Sequence, residues 1–536
     1  MLDVEPEIAV TYTNYFQNEQ DVHKTYIDMY AKIREVYFQY QLQPHHKMGL
    51  VYDQCNEYYS YANELKSLSV EAFKKVAGTS WILHYNVIFQ SNLILDNLYR
   101  VQDLPKDREN FYKGHCYFAK GLMYYEIARR WGNAPITRDA KSIDPLGRSD
   151  AKVVLDTALS NALRAFDLLK NYDEAVDYNG QKLKKYYAHK GAAAALLANI
   201  YAWKGGLFND SDAYEEAEKY CTLIIENKVG IYKMVDTPEE VCSVVMDRMS
   251  SESVFELLNS SIDFGFTTGR FSPGINFHIG ANYGYGGYPL NPFGSLSNNQ
   301  YENLYLIKND RVKKIWGDED LRRAAYFWKF DEMAEADNEV TGGYAYPYFW
   351  RKPLLDAAWV PAEMINVDGN KIFWRLAEIY LLKAEALIMQ GTISQGVKAM
   401  NIVRNRACNQ GTVKDMFTSQ GDASYTYQEG SVMMIPEDIS ANNALKELMY
   451  ERLRELAAED DCGWLDVARF PDIAMKDLED ICRYRDPLQF YAPYGDPARG
   501  EYLWHLFNDE KVYRVLMPIP FTELSFFPEM KQNPGY

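Results

Sequence analysis

The stretch that decides the fold is YYAHKGAAAALLANIYAWKGG, residues 186–206, followed at once by FNDSDAYEEAEKYCTLIIEN, residues 208–227. Alanine gives up no side-chain entropy in a helix, so the first segment reads as helix, with Gly205 and Gly206 expected to stop it. The second segment starts a new helix behind a cap expected at Asp210 to Asp212. Two helices so closely joined make a helical hairpin. The pattern returns in WRLAEIYLLKAEALIMQG (374–391) and TISQGVKAMNIVRNRAC (392–408). There Leu376, Tyr380, Ala384 and Leu387 form one stripe and Gly391 ends the helix. Ala377, Ala384 and Ala386 permit close approach of a neighbour, as in stacked tetratricopeptide-type hairpins. The strict repeat consensus is absent, so the units are TPR-like.

Helical spacing extends outward from these hairpins. Apolar residues recur at three and four in YIDMYAKIREVYF (26–38), WILHYNVIFQSNLILDNLYRV (81–101) and FYKGHCYFAKGLMYYEIARRW (111–131). The last should end near Gly132; Pro135 forces extended backbone, and the next helix begins around Ser149 or Asp150, a suitable N-cap pair. Between about 261 and 365 Gly, Pro, Asn and Tyr displace the helical rhythm, apart from a short helix around Asp320 to Phe330. Long loops inside a compact chain usually carry function. The expected architecture is therefore mostly α: TPR-like stacked helical hairpins with a long loop-rich subdomain containing a few short strands. It divides as 1–260 (first part of the helical core), 261–365 (loop-rich, ligand-binding) and 366–536 (second part of the core). Loop insertions are expected near 411–442 and 484–512.

Composition narrows the function. The chain has 536 residues and 47% apolar content, enough for a large core. Its net charge of -18 repels nucleic acid and anionic lipid, leaving neutral or cationic ligands. Tyrosine, at 43 residues, exceeds Phe (25) and Trp (10) together, and it favours half-exposed aromatic surfaces. Cys55, Cys116, Cys221, Cys242, Cys408, Cys462 and Cys482 are scattered and never spaced CxxC, so they read as small buried hydrophobes. No apolar run reaches the roughly 20 residues of a spanning helix. The opening, LDVEPEIAVTYTNYF after Met1, looks like the start of a mature chain.

Enzyme signatures are missing: no GxSxG elbow, no phosphate loop, no HExxH, and GYGG at 284–287 does not satisfy GxGxxG. Adjacent His45 and His46 lack a partner at i+4 and read as a turn. The run NDSDAYEE (209–216) lacks a calcium loop's central Gly and terminal Glu, and helix capping accounts for it. Glu447, Glu451, Glu455 and Glu459 share one helix face. A glycosidase needs opposed carboxyls across a cleft, whereas these lie side by side, with Arg452 and Arg454 nearby pointing to ion pairs with neighbouring helices.

ELMYERLRELAAEDDCGWLDVARF (447–470) closely resembles a signature block of the SusD/RagB outer-membrane lipoproteins of Bacteroidetes, through Glu451, Arg452, Arg454, Glu455, Leu456, Glu459, Trp464, Asp466 and Arg469. RWGNAPIT (130–137), GDEDLRRAAYF (317–327), WRLAEIYLLKAEAL with NIVRNRA, and the ending VYRVLMPIPFTELSFFPEMKQNPGY (512–536) resemble further family elements, so the likeness spans nearly the whole chain. Cys462 and Gly463 depart from the family's usual Gly-His or Gly-Arg before the Trp. The matched motifs look like fold signatures and none marks a ligand site. The resemblance implies a noncatalytic cell-surface receptor that binds oligo- or polysaccharide and hands it to a SusC-like TonB-dependent transporter, as in starch and glycan uptake by polysaccharide-utilisation systems. It further implies an N-terminal lipid anchor to the outer membrane, and no cofactor or metal. A peptide receptor of the same family, and less readily a glycoside hydrolase, are the alternatives.

A sugar presents an apolar face ringed by hydroxyls, so its receptor needs a flat aromatic platform beside amides or charged groups. ANYGYGGYPLNPFG (281–294) supplies both: Tyr283, Tyr285 and Tyr288 for stacking, with Asn282 and Asn291 for hydrogen bonds. Its glycines clear space for a ligand, and Pro289 and Pro292 stiffen the loop. The competing role for these rings is to pin a loop onto the helices. A second candidate is VYDQCNEYYSYANE (51–64), with Tyr52, Asp53, Asn56, Tyr58 and Tyr59; Trp81, opening the next helix, could line the same site or belong to the core. Tyr348 and Trp350, ahead of Arg351 and Lys352, are expected to be structural, and Trp316 is left open.

Overall fold

The computed structural model describes residues 15–41, 80–142, 145–208, 210–259, 307–335, 344–345, 348–356, 363–408, 434–457, 459, 469 and 519–533. Six long helices come first: α1 (Glu19–Gln41), α2 (Ile82–Asn97), α3 (Lys106–Trp131), α4 (Ala151–Leu168), α5 (Lys190–Phe208) and α6 (Ser211–Ile225). Each packs against the next along the chain. After strand β1 (Ser253–Leu257) the described elements are short: β2 (Ile307–Lys308), α7 (Asn309–Ile315), α8 (Leu321–Tyr326), α9 (Phe330–Glu335), β3 (Tyr344–Ala345), β4 (Pro353–Asp356), β5 (Glu363–Val367) and β6 (Lys371–Arg375). Helices α10 (Leu376–Met389), α11 (Ile393–Ala407) and α12 (Ala441–Glu455) restore the helical pattern, and a short α13 (Phe521–Phe526) lies near the end. Helix α10 lies against α6 as well as α11 and α12, so the second set of hairpins continues the stack begun by the first. The molecule is mostly α and TPR-like, as the spacing predicts.

The described strands pair as antiparallel two-stranded ribbons, β1 with β6, β2 with β3 and β4 with β5. Strand β1 precedes the region of short elements and β6 closes it, in a register that sets Ser253 opposite Arg375 and Leu257 opposite Lys371. The ribbon therefore brings Leu257 and Lys371 side by side. Its buried Phe255 packs on Phe118 of α3, ring centroids 5.2 Å apart, which seats the ribbon on the helical core.

Helix α10 is buried around most of its circumference, including Leu376, Ala377, Ile379, Leu381, Leu382, Ala384, Ala386, Leu387 and Ile388. That follows from its place between α6, α11 and α12, and the stripe read from sequence is only part of its buried surface. The α5 boundary differs from expectation. Gly205 and Gly206 do not stop the helix, which continues to Phe208. A Cβ on Gly205 would come within 2.6 Å of the Tyr214 ring on α6, so this glycine is there for close helix packing. Asp210 caps α6 as expected, its carboxylate accepting from the Ala213 N–H at 3.2 Å. Asp150 occupies the N-cap position of α4 without its side chain capping; the Asn133 side chain accepts from the Ala151 N–H at 2.8 Å instead. Gly391 ends α10's turn with φ 83°, in the left-handed region that favours glycine.

Candidate functional site

The carboxylate face is the place where chemistry would have to sit if the chain were a hydrolase. Helix α12 ends at Glu455, so three of the face's four members lie on it and are buried, Glu447 2%, Glu451 0% and Glu455 2% exposed, while Glu459 lies beyond the helix end and is half-buried. Each meets an arginine from another element. Arg322, at the start of α8, donates to Glu451 at 2.7 Å and to Glu455 at 3.2 Å, and is also forked onto Asp320. Arg375, closing β6, reaches Glu252 at 2.9 Å, Glu455 at 2.7 Å and Glu459 at 2.7 Å. Arg404 on α11 bonds Glu451 at 2.9 Å and pairs with Glu447, while Arg406 joins Glu252 at 2.6 Å and Glu455. Arg454 lies 3.6 Å from Glu451 and donates through Nε to the Ile315 carbonyl at 2.8 Å. Arg452 pairs with Glu385 of α10.

Burial alone would push these carboxyls up. At Glu451 the opposing effect of Arg322, Arg404 and Arg454 wins and holds it at about 2. Burial is likewise outweighed at Glu252 by Arg406 and Arg375, and at Glu455 by Arg406, Arg375 and Arg322, so both end below the usual carboxylate range. Glu252, Glu451 and Glu455 are thereby held as anions, whereas burial outweighs Arg375 at Glu459 and raises its carboxyl. Their arrangement is a buried ion lattice that bolts β1, β6, α8, α11 and α12 together. Glu252 lies 123 and 154 residues from its arginines, and Arg322, Arg375, Arg404 and Arg406 escape a pairwise reading of the sequence because they lie 43 to 133 residues from the carboxylates they meet on α12. What signal exists is their recurrence inside the DLRR, WRLAE and VRNRA motifs.

The candidate ligand residues Asn282, Tyr283, Tyr285 and Tyr288, and Tyr52, Asp53, Asn56 and Tyr58, lie outside the described residues. The described chain does locate the points from which their segments depart. Residues 42–79 connect α1 to α2, and Tyr37 in the last turns of α1 packs edge-on against Phe373 of β6 at 4.7 Å. The other segment begins just beyond Asn259, whose backbone N–H donates to Asn370 Oδ1 at 3.1 Å and whose side-chain amide donates to the Gly369 carbonyl at 2.9 Å. Both roots are thus tied to β6 and its leading turn. The Asn370 amide is fixed in turn by Glu256, at 2.7 Å.

Trp81 is the one candidate within the described chain. It sits at the N-cap of α2, 3% exposed, with Trp131 at 6.0 Å and Tyr85 at 5.8 Å, both edge-on. Trp350 is buried at 3%, and Trp316, fully buried, donates its indole N–H to the Arg454 carbonyl at 3.2 Å. The Arg351 guanidinium stacks 3.6 Å over Tyr348. Cys116, Cys221, Cys242 and Cys408 are buried free thiols, as expected of small hydrophobes, and burial raises the pKa of each. Among the described residues no group of His, Cys, Asp and Glu is placed to hold a metal ion, and no helix is long and apolar enough to cross a membrane.

Comparison with known proteins gives this architecture relatives. The model of the SusD family matches residues 292–536, and a model described as starch-binding and associating with the outer membrane matches residues 1–202. SusD-like protein P25 of Formosa agariphila is 23% identical over 456 residues, covering 76% of this chain and 78% of that protein. A SusD homologue from Bacteroides thetaiotaomicron superposes with a TM-score of 0.70 at 17% identity, covering 98% of each chain. A laminarin-binding SusD-like protein superposes with a TM-score of 0.64, also at 17% identity, covering 97% of this chain and 100% of that one. The motifs at 317–327, 374–387, 401–407 and 447–470 that carry the likeness in sequence are the ones whose arginines and glutamates meet in the buried lattice, and the two family models take in both helical parts of the stack: the chain belongs to the SusD/RagB family.

Proposed function

We propose that this chain is a noncatalytic glycan receptor on the outer face of the outer membrane, held there by an N-terminal lipid anchor, that captures oligo- or polysaccharide and delivers it to a SusC-like TonB-dependent transporter. Family membership carries the reading, supported by a laminarin-binding protein with the same fold and by the starch-binding description of the N-terminal family model. The lattice supports the noncatalytic part, since the carboxylates that could have served as acid and base are each committed to guanidinium groups. Tyr283, Tyr285 and Tyr288 provide stacking faces and Asn282 a polar contact. Tyr52, Asp53, Asn56 and Tyr58 are the second set of ligand residues in this reading, with Trp81 assigned to the same site. The 261–365 region is the ligand-binding subdomain and the two helical parts are its scaffold.

The test is affinity electrophoresis and calorimetry against a polysaccharide panel that includes laminarin and starch, run beside a mixed oligopeptide pool. Binding to at least one glycan, weakened by Tyr285→Ala or Tyr288→Ala, is the expected result. Peptide binding without glycan binding would transfer the protein to the peptide-receptor class. Reducing ends released from a bound glycan would make it a hydrolase. Co-purification with the transporter tests delivery.

A further inference from the structure

The end of α3 is finished by residues from the far end of the chain. Its last carbonyl, that of Trp131, accepts a hydrogen bond from the Asn533 side-chain amide at 2.9 Å, across 402 residues. Helix C-termini leave carbonyls without partners, and here the cap arrives almost last in the sequence. Arg148, in the connector between α3 and α4, completes the join. Its Nε donates to the Asn133 carbonyl at 2.8 Å and its Nη1 to the Lys531 carbonyl at 2.6 Å, while Nη2 bonds Asn533 Oδ1. Gln532 folds back to grip both backbone groups of Ile519, which is fully buried within the main apolar cluster, with Leu524 and Met530 packed against that cluster. Asn533 is itself 3% exposed.

Other ties of the first helices among the described residues span shorter separations: the connector is closed by the Ala134–Ser149 bridge, Phe118 of α3 meets Phe255 of β1, and Tyr37 of α1 meets Phe373 of β6. Without residues 519–533 the Trp131 carbonyl and the Arg148 fork lose these partners, and Ile519 leaves a gap in the core. A contact at this separation carries a larger loop-closure cost than any within a hairpin, so it forms after the local hairpins have collapsed.

We infer that residues 519–533 form a closing strap, which docks after the local hairpins and completes the end of the α2–α4 hairpins only once these residues are available. A chain made from its N-terminus holds those helices with an unfinished end until residue 533 has emerged. Arg148 and Asn533 are the residues that latch it. The inference concerns assembly and is independent of the ligand.

The experiment is pulse-labelled hydrogen exchange during refolding of the full chain, with Asn533→Ala and Arg148→Gln alongside. Amides of the α3 terminus, Ala128 to Ala134, should gain protection in the same slow phase as 519–533, after those of α5 and α6. In Asn533→Ala the early phase should keep its rate while unfolding speeds up about ten-fold, the pattern of a contact absent from the folding transition state. Protection at Ala128–Ala134 ahead of 519–533, or a variant that slows the early phase of α5 and α6, would overturn the inference. The Arg148→Gln variant guards against an effect peculiar to position 533, and must show the same split between the two rates.

Discussion

Arg375 shows how much one residue can hold. Its guanidinium is fully buried and serves Glu252, Glu455 and Glu459 together, so removing it strands carboxylates in the interior. Arg375→Ala should cost about 3–5 kcal/mol in chemical denaturation, the range for breaking a buried ion pair by deleting one partner. Glu378, one turn into α10, behaves in the opposite sense. Burial and then the nearby Glu459 raise its carboxyl to about 8, so the folded protein keeps a proton that the unfolded chain releases above its ordinary 4.5. Stability therefore falls as pH rises from about 4.5 through 8 on account of this group. Glu378→Gln should flatten that slope and raise the melting temperature at pH 9 while leaving pH 4.5 nearly unchanged. A variant that melts lower at both pH values would show that the charged form is needed. Neither role is visible in a linear reading, since both depend on which charges are brought alongside.

At the level of elements, the alanine-rich α5 and the α10–α11 hairpin were legible because helical propensity and spacing act locally. The limits of that legibility are equally physical. Gly205 reads as a terminator by composition, yet it lies within α5 because the Tyr214 ring needs the space where its Cβ would be. Gly205→Ala should push α5 and α6 apart and cost roughly 1–3 kcal/mol in thermal unfolding, as overpacking does; a neutral substitution would mean that Tyr214 can swing aside. The carboxylate face of α12 was read from its spacing of four, and its structural role follows from the arginines that meet it. Which arginines these are, from β6, α8 and α11, no periodicity within α12 reveals.

For the whole molecule, the buried histidines set the acid limit. Burial, reinforced by Arg130 at His84 and by Lys185 at His189, lowers both from 6.5 to about 3. The unfolded chain takes up protons that the folded one refuses, so the stability they contribute is complete above pH 6.5 and drains away as pH falls towards 3. Together with Glu378 this predicts a stability maximum near pH ~6.5 in a series of thermal melts, and a plateau running down to pH 4 would contradict it. At this same scale lies the proposed receptor function, whose expected readout is retention by at least one polysaccharide with no release of reducing ends. By itself the sequence determined the helical class, the hairpin units, the loop-rich interruption and the family likeness, because propensity, periodicity and motif order are written along the chain. The tertiary structure alone decided that β1 pairs with β6, that motif arginines and glutamates meet Glu252 in one buried lattice, and that Asn533 caps α3. These are contacts between residues far apart in sequence, and their energies exist only once the burial that excludes water has brought the partners together.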